Sequence, residues 1–349
     1  MTSYVKHRGV RCPGIGRFFL VLAAGGALFA CRPAERPMAI DGRAQGTTYA
    51  IRYYDPQRRD LRGQVDSLLA AFDQSASLWV DSSLLRRLNA GQTDSLDAVL
   101  AFLVERSCEM TAYTDGAFDP RVGRLVQMWG FSFRQRTEPD SAMLVDLLRA
   151  SRGRVWCEGG RYRRQYDDTE LDFNAIAQGY ASDLVARLMD SCGIESYLID
   201  IGGEVIARGR KADGTPWRVG IERPSADSVS APVVETAIPL EDRAVVTSGS
   251  YRKYYEKDGV RYSHTVDPAT GRPVQHSLLS VSVVDDECWR ADAMATAYMV
   301  MGLDSALSFI EHHPGGPGTE AVLFIYDDGG VLRSHATPEF EALQTQKRL

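Results

Sequence analysis

Apolar residues recur along the chain with two spacings, which predict both helices and strands. Intervals of three and four residues predict helices over residues 61–75, 96–114 and 141–151. Shorter apolar runs that close on turn residues predict strands over residues 49–54, 197–201, 217–221, 233–238, 244–248 and 280–284. Because the two kinds of element mix without a regular βαβ alternation, we expect an α+β fold with mixed helices and largely antiparallel sheets in a single body.

The first thirty residues have a pattern of their own. Basic residues, among them Lys6, Arg8 and Arg17, precede an apolar run over residues 18–29, and no acidic residue occurs among them. The run is shorter than the stretch of about 20 apolar residues that a membrane-spanning helix needs, so it predicts a signal peptide. Ala30 and Cys31 follow this run, and residues 28–31 resemble the lipobox of bacterial lipoproteins, although ordinary cleavage that leaves the cysteine unmodified stays open.

These signals divide the chain into three parts. We expect residues 1–30 to be a lipoprotein signal peptide and residues 31–38, rich in Pro, Ala and Arg, to be a tether lipidated at Cys31. Residues 39–349 form the folded body. We therefore expect a lipoprotein that is anchored to a membrane and faces the periplasm.

Composition argues against one class of partner. The chain has 40 basic and 46 acidic residues, a net charge of -6, and no basic stripe interleaved with aromatic residues, so nucleic-acid binding has no support. Beyond the first 31 residues the cysteines are widely separated and lack metal-ligand spacing: Cys108, Cys157, Cys192 and Cys288. We interpret them as small apolar residues rather than as catalysts.

Two segments have the chemistry of a phosphate and metal site. Asp292 and Thr296 lie four residues apart in an Ala- and Met-rich stretch that favours a helix, so both oxygens would share one face and could hold Mg²⁺. An acid in the first helical turn beside an unrelated threonine would look the same. Residues 171–180 lead into a second helix, for which Asn174 is a plausible N-cap and whose N-terminus would suit a diphosphate. In that helix Gly179 would permit the close approach of a ligand or of neighbouring backbone.

Other candidate residues lie where predicted elements end. His264 follows a polar and aromatic run before the turn at residues 267–271, and imidazole is a natural general base, although a lone histidine at the end of a strand is more often structural. His312 and His313 lie beside a Pro- and Gly-rich run and are interpreted as solvated loop residues. Trp79 could stack on an aromatic ring or could pack in the core.

The order of these motifs along the chain resembles that of the ApbE family of FAD:protein FMN transferases. The matching blocks are residues 45–49, 77–89, 114–131, 171–183, 197–204, 217–224, 246–249, 262–273 and 291–296. Together they extend over nearly the whole of the predicted body. The resemblance implies an enzyme with an ApbE-like α+β fold.

The resemblance also implies roles for individual residues. Asp292 and Thr296 would be Mg²⁺ ligands, together with an oxygen of Ala175, and His264 would be the catalytic base. The positions at which the family contacts FAD are occupied here by Trp79, Ala117, Phe118, Asp119, Asp172, Gln178, Val266 and Ala295.

Three residues depart from the family pattern. Gln45 occupies the position of a methionine, so a flavin contact would change from apolar to hydrogen-bonding. Trp79 replaces a tyrosine and keeps a stacking surface. Gln178 replaces a lysine, which removes a positive charge close to the diphosphate.

The implied reaction transfers FMN from FAD to a Ser or Thr hydroxyl of an acceptor protein and releases AMP, with Mg²⁺ as cofactor. The implied acceptors are extracytoplasmic subunits of complexes such as the sodium-pumping NADH:quinone reductase and its Rnf relatives. Two alternatives stay open at this point: a periplasmic FAD pyrophosphatase that gives FMN and AMP, and a non-catalytic flavin-binding lipoprotein.

Overall fold

The computed structural model describes residues 36–131, 140–224, 233–250, 254–257 and 260–346. The predicted signal peptide, Cys31 and most of the predicted tether lie outside these residues. The described part of the chain from Arg36 onwards forms one compact unit.

An eight-stranded antiparallel sheet is the centre of this unit. The strands of the described residues are β1 (Met38–Ala44), β2 (Thr47–Tyr54), β3 (Val155–Glu158), β4 (Arg161–Arg164), β5 (Ser196–Ile201), β6 (Glu204–Arg208), β7 (Trp217–Glu222), β8 (Val234–Leu240), β9 (Arg243–Gly249), β10 (Tyr254–Lys257), β11 (Val260–Ser263), β12 (Leu278–Asp285), β13 (Ala321–Asp328) and β14 (Val331–Ala336). The sheet order is β1-β2-β5-β6-β9-β12-β13-β14, and each neighbouring pair is antiparallel. Three hairpins, β3–β4, β7–β8 and β10–β11, stand outside this sheet.

Helices occupy the intervals between the strands. They are α1 (Arg62–Ala76), α2 (Leu84–Asn89), α3 (Ala98–Tyr113), a short 3-10 turn (Pro120–Val122), α4 (Gly123–Met128), α5 (Ser141–Ser151), α6 (Ala177–Ser191), α7 (Cys288–Met301), α8 (Leu303–His312) and α9 (Pro338–Thr345). None of the helices in the described ranges is long and apolar enough to cross a membrane.

The two faces of the sheet pack into two separate cores because successive strand residues point to opposite sides. On β13, Val322 and Phe324 belong to the main core, which also includes residues of α1, α3, α6 and α7. Leu323 and Ile325 of the same strand face a second core formed with the β7–β8 hairpin and α9. The result is a layered α+β body, as the sequence predicts.

The predicted elements are confirmed with small shifts at their ends. The helix predicted over residues 141–151 is α5 without change, and the strand predicted over 49–54 begins two residues earlier, at Thr47. One interpretation is wrong. His313 is not a solvated loop residue, because its ring stacks on Phe309 at a centroid distance of 4.1 Å, whereas His312 is an exposed residue at the end of α8.

Candidate functional site

Helix α7 carries both proposed metal ligands on one face. Asp292 lies in the second turn and is only 5% exposed. Thr296 follows four residues later, is half-buried, and places its Oγ1 3.5 Å from the Oγ of Ser248 at the end of β9. The predicted spacing is therefore realised on a helix, and the sheet brings a further hydroxyl to the pair. Ser248 lies in one of the segments that match the family pattern, residues 246–249, but the sequence alone predicts no role for it.

Gly179 joins helix α6 to the same site. Its backbone N–H donates to Oδ2 of Asp292 over 3.0 Å. A Cβ atom at this position would lie 2.6 Å from the carbonyl oxygen of Cys288 and 2.8 Å from the Cα of Trp289. The prediction of a close approach is thus confirmed, and the approaching group is the backbone at the start of α7. Only a glycine lets the two helices meet at this distance.

Replacing Gly179 by alanine is expected to force α6 and α7 apart, because the added methyl group meets backbone atoms that cannot rotate away. Overpacking of this kind costs about 1–3 kcal/mol of unfolding free energy, and it would also move Asp292 from its N–H partner. Urea unfolding measures the first effect. The matched control is Gly63→Ala in α1, where an added Cβ meets nothing within 4 Å. Equal unfolding midpoints for the two variants would contradict the expected clash.

The loop before α6 differs from its prediction. Asn174 is exposed and does not cap the helix, which begins at Ala177 with Ile176 in the N-cap position and without a side-chain cap. The reason is local: the N–H of Asn174 donates to Oδ1 of Asp172 over 2.8 Å, so a tight turn precedes the helix. Half-buried Ala175 lies in this turn, four residues before Gly179.

One carboxylate oxygen of Asp172 has no hydrogen-bond partner among the described residues. The residue is 6% exposed, and its Oδ2 is buried without a hydrogen-bond partner. Burial raises the pKa of Asp172 to about 6, and the hydrogen bond from Asn174 opposes this rise. Buried polar atoms nearly always have partners, so this oxygen marks a place where a hydrogen-bond donor from a ligand fits.

The segment around residues 114–120 adjoins Asp172. The backbone N–H of Asp172 donates to the carbonyl of Pro120 over 2.7 Å. Next to Pro120, Asp119 forms an ion pair of 2.6 Å with Arg121, while Phe118 is buried and Ala117 is half-buried. The carboxylate of Asp119 is therefore neutralised within the protein.

Gln178 lies where two turns meet. A Cβ on Gly202, whose φ is +72°, would lie 2.9 Å from Nε2 of Gln178, 2.9 Å from Cγ2 of Thr47 and 3.2 Å from Oε2 of Glu204. The amide of Gln178 is thus close to both the β5–β6 turn and the β1–β2 turn. In the latter turn, the side-chain amide nitrogen and oxygen of Gln45 are buried and have no hydrogen-bond partner within the described part of the chain.

The remaining predicted residues lie in other surroundings. His264 directly follows β11, is half-buried, and has its ring centroid 6.4 Å from that of Phe131. Val266 packs in a small core with residues of α4 and α5, and Ala295 is fully buried on α7. Trp79 is 60% exposed, so it is not a core residue and presents its indole at the surface.

The carboxylate of Asp292 is held in an environment that disfavours its charge. Burial raises its pKa well above the usual range, the N–H of Gly179 opposes this rise, and the nearby carboxylate of Asp183 adds to it. Among the described residues there is no cluster of three or more His, Cys, Asp or Glu side chains that could hold a metal. A cation at Asp292 would therefore take its other ligands from hydroxyl, carbonyl or ligand oxygens.

Solved structures share this arrangement of sheet and helices. The flavinyl transferase ApbE of Pseudomonas stutzeri, in its apo form, matches with a TM-score of 0.79 and 33% identity, covering 90% of this chain and 99% of that one. The flavin transferase ApbE of Vibrio cholerae matches with a TM-score of 0.78 and 33% identity, covering 89% of this chain and 100% of that one. The fold is therefore that of the flavin transferases.

Sequence comparison identifies the family. The ApbE family model matches residues 45–323. The FAD:protein FMN transferase of Vibrio cholerae is 37% identical in an alignment that covers 80% of this chain and 86% of that protein. The protein of the same name from Escherichia coli K12 is 34% identical over 90% of this chain and 91% of its own length. This chain belongs to the ApbE family.

Proposed function

We propose that this chain is an Mg²⁺-dependent FAD:protein FMN transferase that acts as a lipoprotein on the periplasmic side of a membrane. It transfers the FMN half of FAD to a Ser or Thr hydroxyl of an acceptor protein and releases AMP. One observation carries the proposal: buried Asp292 is fixed by the N–H of Gly179 and stands four residues before Thr296 on the same helix.

The donor set at α7 fits Mg²⁺. This ion prefers oxygen ligands and is commonly held by one or two carboxylates, with water and substrate phosphate oxygens completing its shell. Asp292 would supply the carboxylate, Thr296 the hydroxyl and Ala175 the backbone oxygen. When bound, the ion would neutralise the diphosphate oxygens on which charge develops.

The residues around α6 fit FAD as substrate. Asp172 and Gln45 each bury polar atoms that lack a partner in the described ranges, so a ligand with donors and acceptors would satisfy them. Gln178 approaches the turn that holds Gln45 without a positive charge, so it would orient FAD by hydrogen bonds rather than by ion pairing. Exposed Trp79 offers an aromatic surface to the flavin or adenine ring.

The protein groups would carry out three tasks. Asp292 and Thr296 would hold Mg²⁺, which would bind the diphosphate, while Asp172, Gln45 and Trp79 would orient the rings of FAD. His264 takes the proton from the incoming acceptor hydroxyl, which then attacks the phosphorus of the FMN half as AMP leaves. The acceptor would be an extracytoplasmic subunit of a complex of the sodium-pumping NADH:quinone reductase or Rnf class.

The direct test combines the full chain, FAD and MgCl₂ with an acceptor that carries a Ser/Thr flavinylation motif. We expect covalent flavin fluorescence on the acceptor and one AMP released for each flavin attached. An acceptor whose motif threonine is changed to valine is the matched control and should stay unlabelled. Free FMN in equal amounts with either acceptor would indicate the pyrophosphatase activity instead. Bound FAD without AMP release would indicate a flavin-binding protein.

The lipid anchor is tested by Cys31→Ser. The acyl chains are the proposed membrane attachment, so the variant should move from the membrane to the soluble fraction. The matched control is Cys12→Ser, which changes a cysteine that precedes the proposed cleavage site and should leave the protein in the membrane. If Cys31→Ser stayed in the membrane through a salt wash, the lipobox assignment would be wrong.

A further inference from the structure

The N-terminus of α7 is capped by a side chain from another helix. Glu287 occupies the N-cap position and makes no side-chain cap. Asp183 of α6 accepts instead, from the N–H of Cys288 over 3.0 Å and from the N–H of Trp289 over 2.9 Å. A helix leaves its first N–H groups without internal partners, so this single carboxylate satisfies two of them.

Asp183 acts next to the contact that fixes Asp292. Gly179 and Asp183 are four residues apart on α6 and therefore share one face of it. On α7, Cys288 and Asp292 have the same spacing. One turn of α6 thus meets the first turns of α7 through both the carboxylate of Asp183 and the backbone of Gly179. These contacts fix the rotation of α7 as well as its distance from α6.

A buried carboxylate from another helix is a costly way to cap the N-terminus of a helix. Residues such as Ser, Thr or Asp at the N-cap do so locally and remain solvated. Asp183 is instead buried, and burial raises its pKa to about 7. Asp183 lies on α6, the helix into which the segment from Ala175 to Gly179 leads. Its contacts with α7 therefore connect the two parts of the proposed metal site, one on this segment and one on α7.

We propose that Asp183 is a positioning residue for the metal site. By holding the first turn of α7 against α6, it sets where Asp292 and Thr296 stand relative to the segment from Ala175 to Gly179, and thereby it sets the affinity for Mg²⁺. This inference rests on the proposed function of the same site. Asp183 itself does not bind the metal or the substrate.

The test measures Mg²⁺ binding apart from turnover. MgCl₂ is titrated by calorimetry into the full chain saturated with FAD, and the Mg²⁺ dependence of AMP release is followed in parallel. Loss of a residue that orients a metal ligand typically lowers metal affinity by 10–100-fold. For Asp183→Ala we expect a weakening within about this range, with the turnover rate recovering at high Mg²⁺. Asp183→Asn keeps one acceptor oxygen and should fall between this variant and the wild type.

The matched control is Asp97→Ala. It removes another helix-capping carboxylate, which accepts from the N–H of Leu100 at the start of α3. It should lower the melting temperature and leave Mg²⁺ affinity unchanged. The inference is overturned if Asp183→Ala lowers the melting temperature but keeps the Mg²⁺ affinity of the wild type. If the alanine variant does not fold, Asp183→Asn is judged by the same criterion. A wild-type chain that releases AMP equally well without Mg²⁺ would instead overturn the proposed function, and this inference with it.

Discussion

The variant Asp292→Ala is expected to lose FMN transfer completely while it keeps the fold. Asp292 is the only side chain with a formal negative charge in the proposed ligand set, and Mg²⁺ needs such charge to give up part of its hydration shell. Transfer is measured as covalent flavin on the acceptor. The control is Asp304→Ala, which removes an exposed acid from the neighbouring helix α8. Normal turnover by Asp292→Ala would show that α7 does not hold the metal.

The same residue should leave a signature in stability. Because the pKa of Asp292 is raised in the folded chain, ionisation of this carboxyl group destabilises the folded state at pH values above its unfolded pKa of about 3.9. In EDTA, Asp292→Asn should therefore be more stable than the wild type at neutral pH. This advantage should shrink as the pH falls and disappear near pH 4. Urea unfolding of both proteins at several pH values measures this difference in unfolding free energy. A difference that does not change with pH would contradict the idea that burial disfavours the charge of Asp292.

The second large effect is expected at His264. If this residue accepts the proton of the acceptor hydroxyl, His264→Ala should slow transfer by about 10² to 10⁴, the usual contribution of a positioned base. The affinity for FAD should change far less. The wild-type rate should also fall at acid pH, because a protonated imidazole cannot accept the proton.

Rate and affinity together separate the two possible roles of His264. A variant with weak FAD binding and a nearly normal rate at saturation would show that His264 positions the flavin. An unchanged pH profile in His264→Ala would show that another group titrates. His312→Ala, which changes an exposed histidine at the end of α8, is the control and should behave as the wild type.

The elements could be predicted from the sequence because local spacing determines them, whereas their pairing could not. Residues 49–54 and 197–201 each have the alternation of a strand, but the pairing of β2 with β5 joins segments about 150 residues apart. The prediction for the turn before α6 is wrong for a similar reason. Both Asp172 and Asn174 have capping chemistry, and sequence alone does not decide that the first of them captures the N–H of the second.

The sequence predicts individual residues of the site but not the contacts that bring them together. The spacing of Asp292 and Thr296 is visible on any helix drawn over them. The contact from Gly179 to Asp292 spans 113 residues and the contact from Asp183 to Cys288 spans 105, so neither has a local signal. The sequence gives only a weak indication of the role of Asp183. It is an acidic residue on the face of α6 whose other residues are mostly apolar and buried.

If the chain is anchored through a lipid on Cys31, as we propose, the hairpin of β1 and β2 limits how far its proposed FAD site can reach from the membrane. Strand β1 begins at Met38, and its seven residues end one residue before Gln45, so the turn near Gln178 lies about 20 Å from the start of the strand. With a lipid on Cys31, the seven residues from there to Met38 add at most about 25 Å when fully extended. An acceptor hydroxyl farther than about 45 Å from the bilayer surface would then be out of range, however accessible it is in solution.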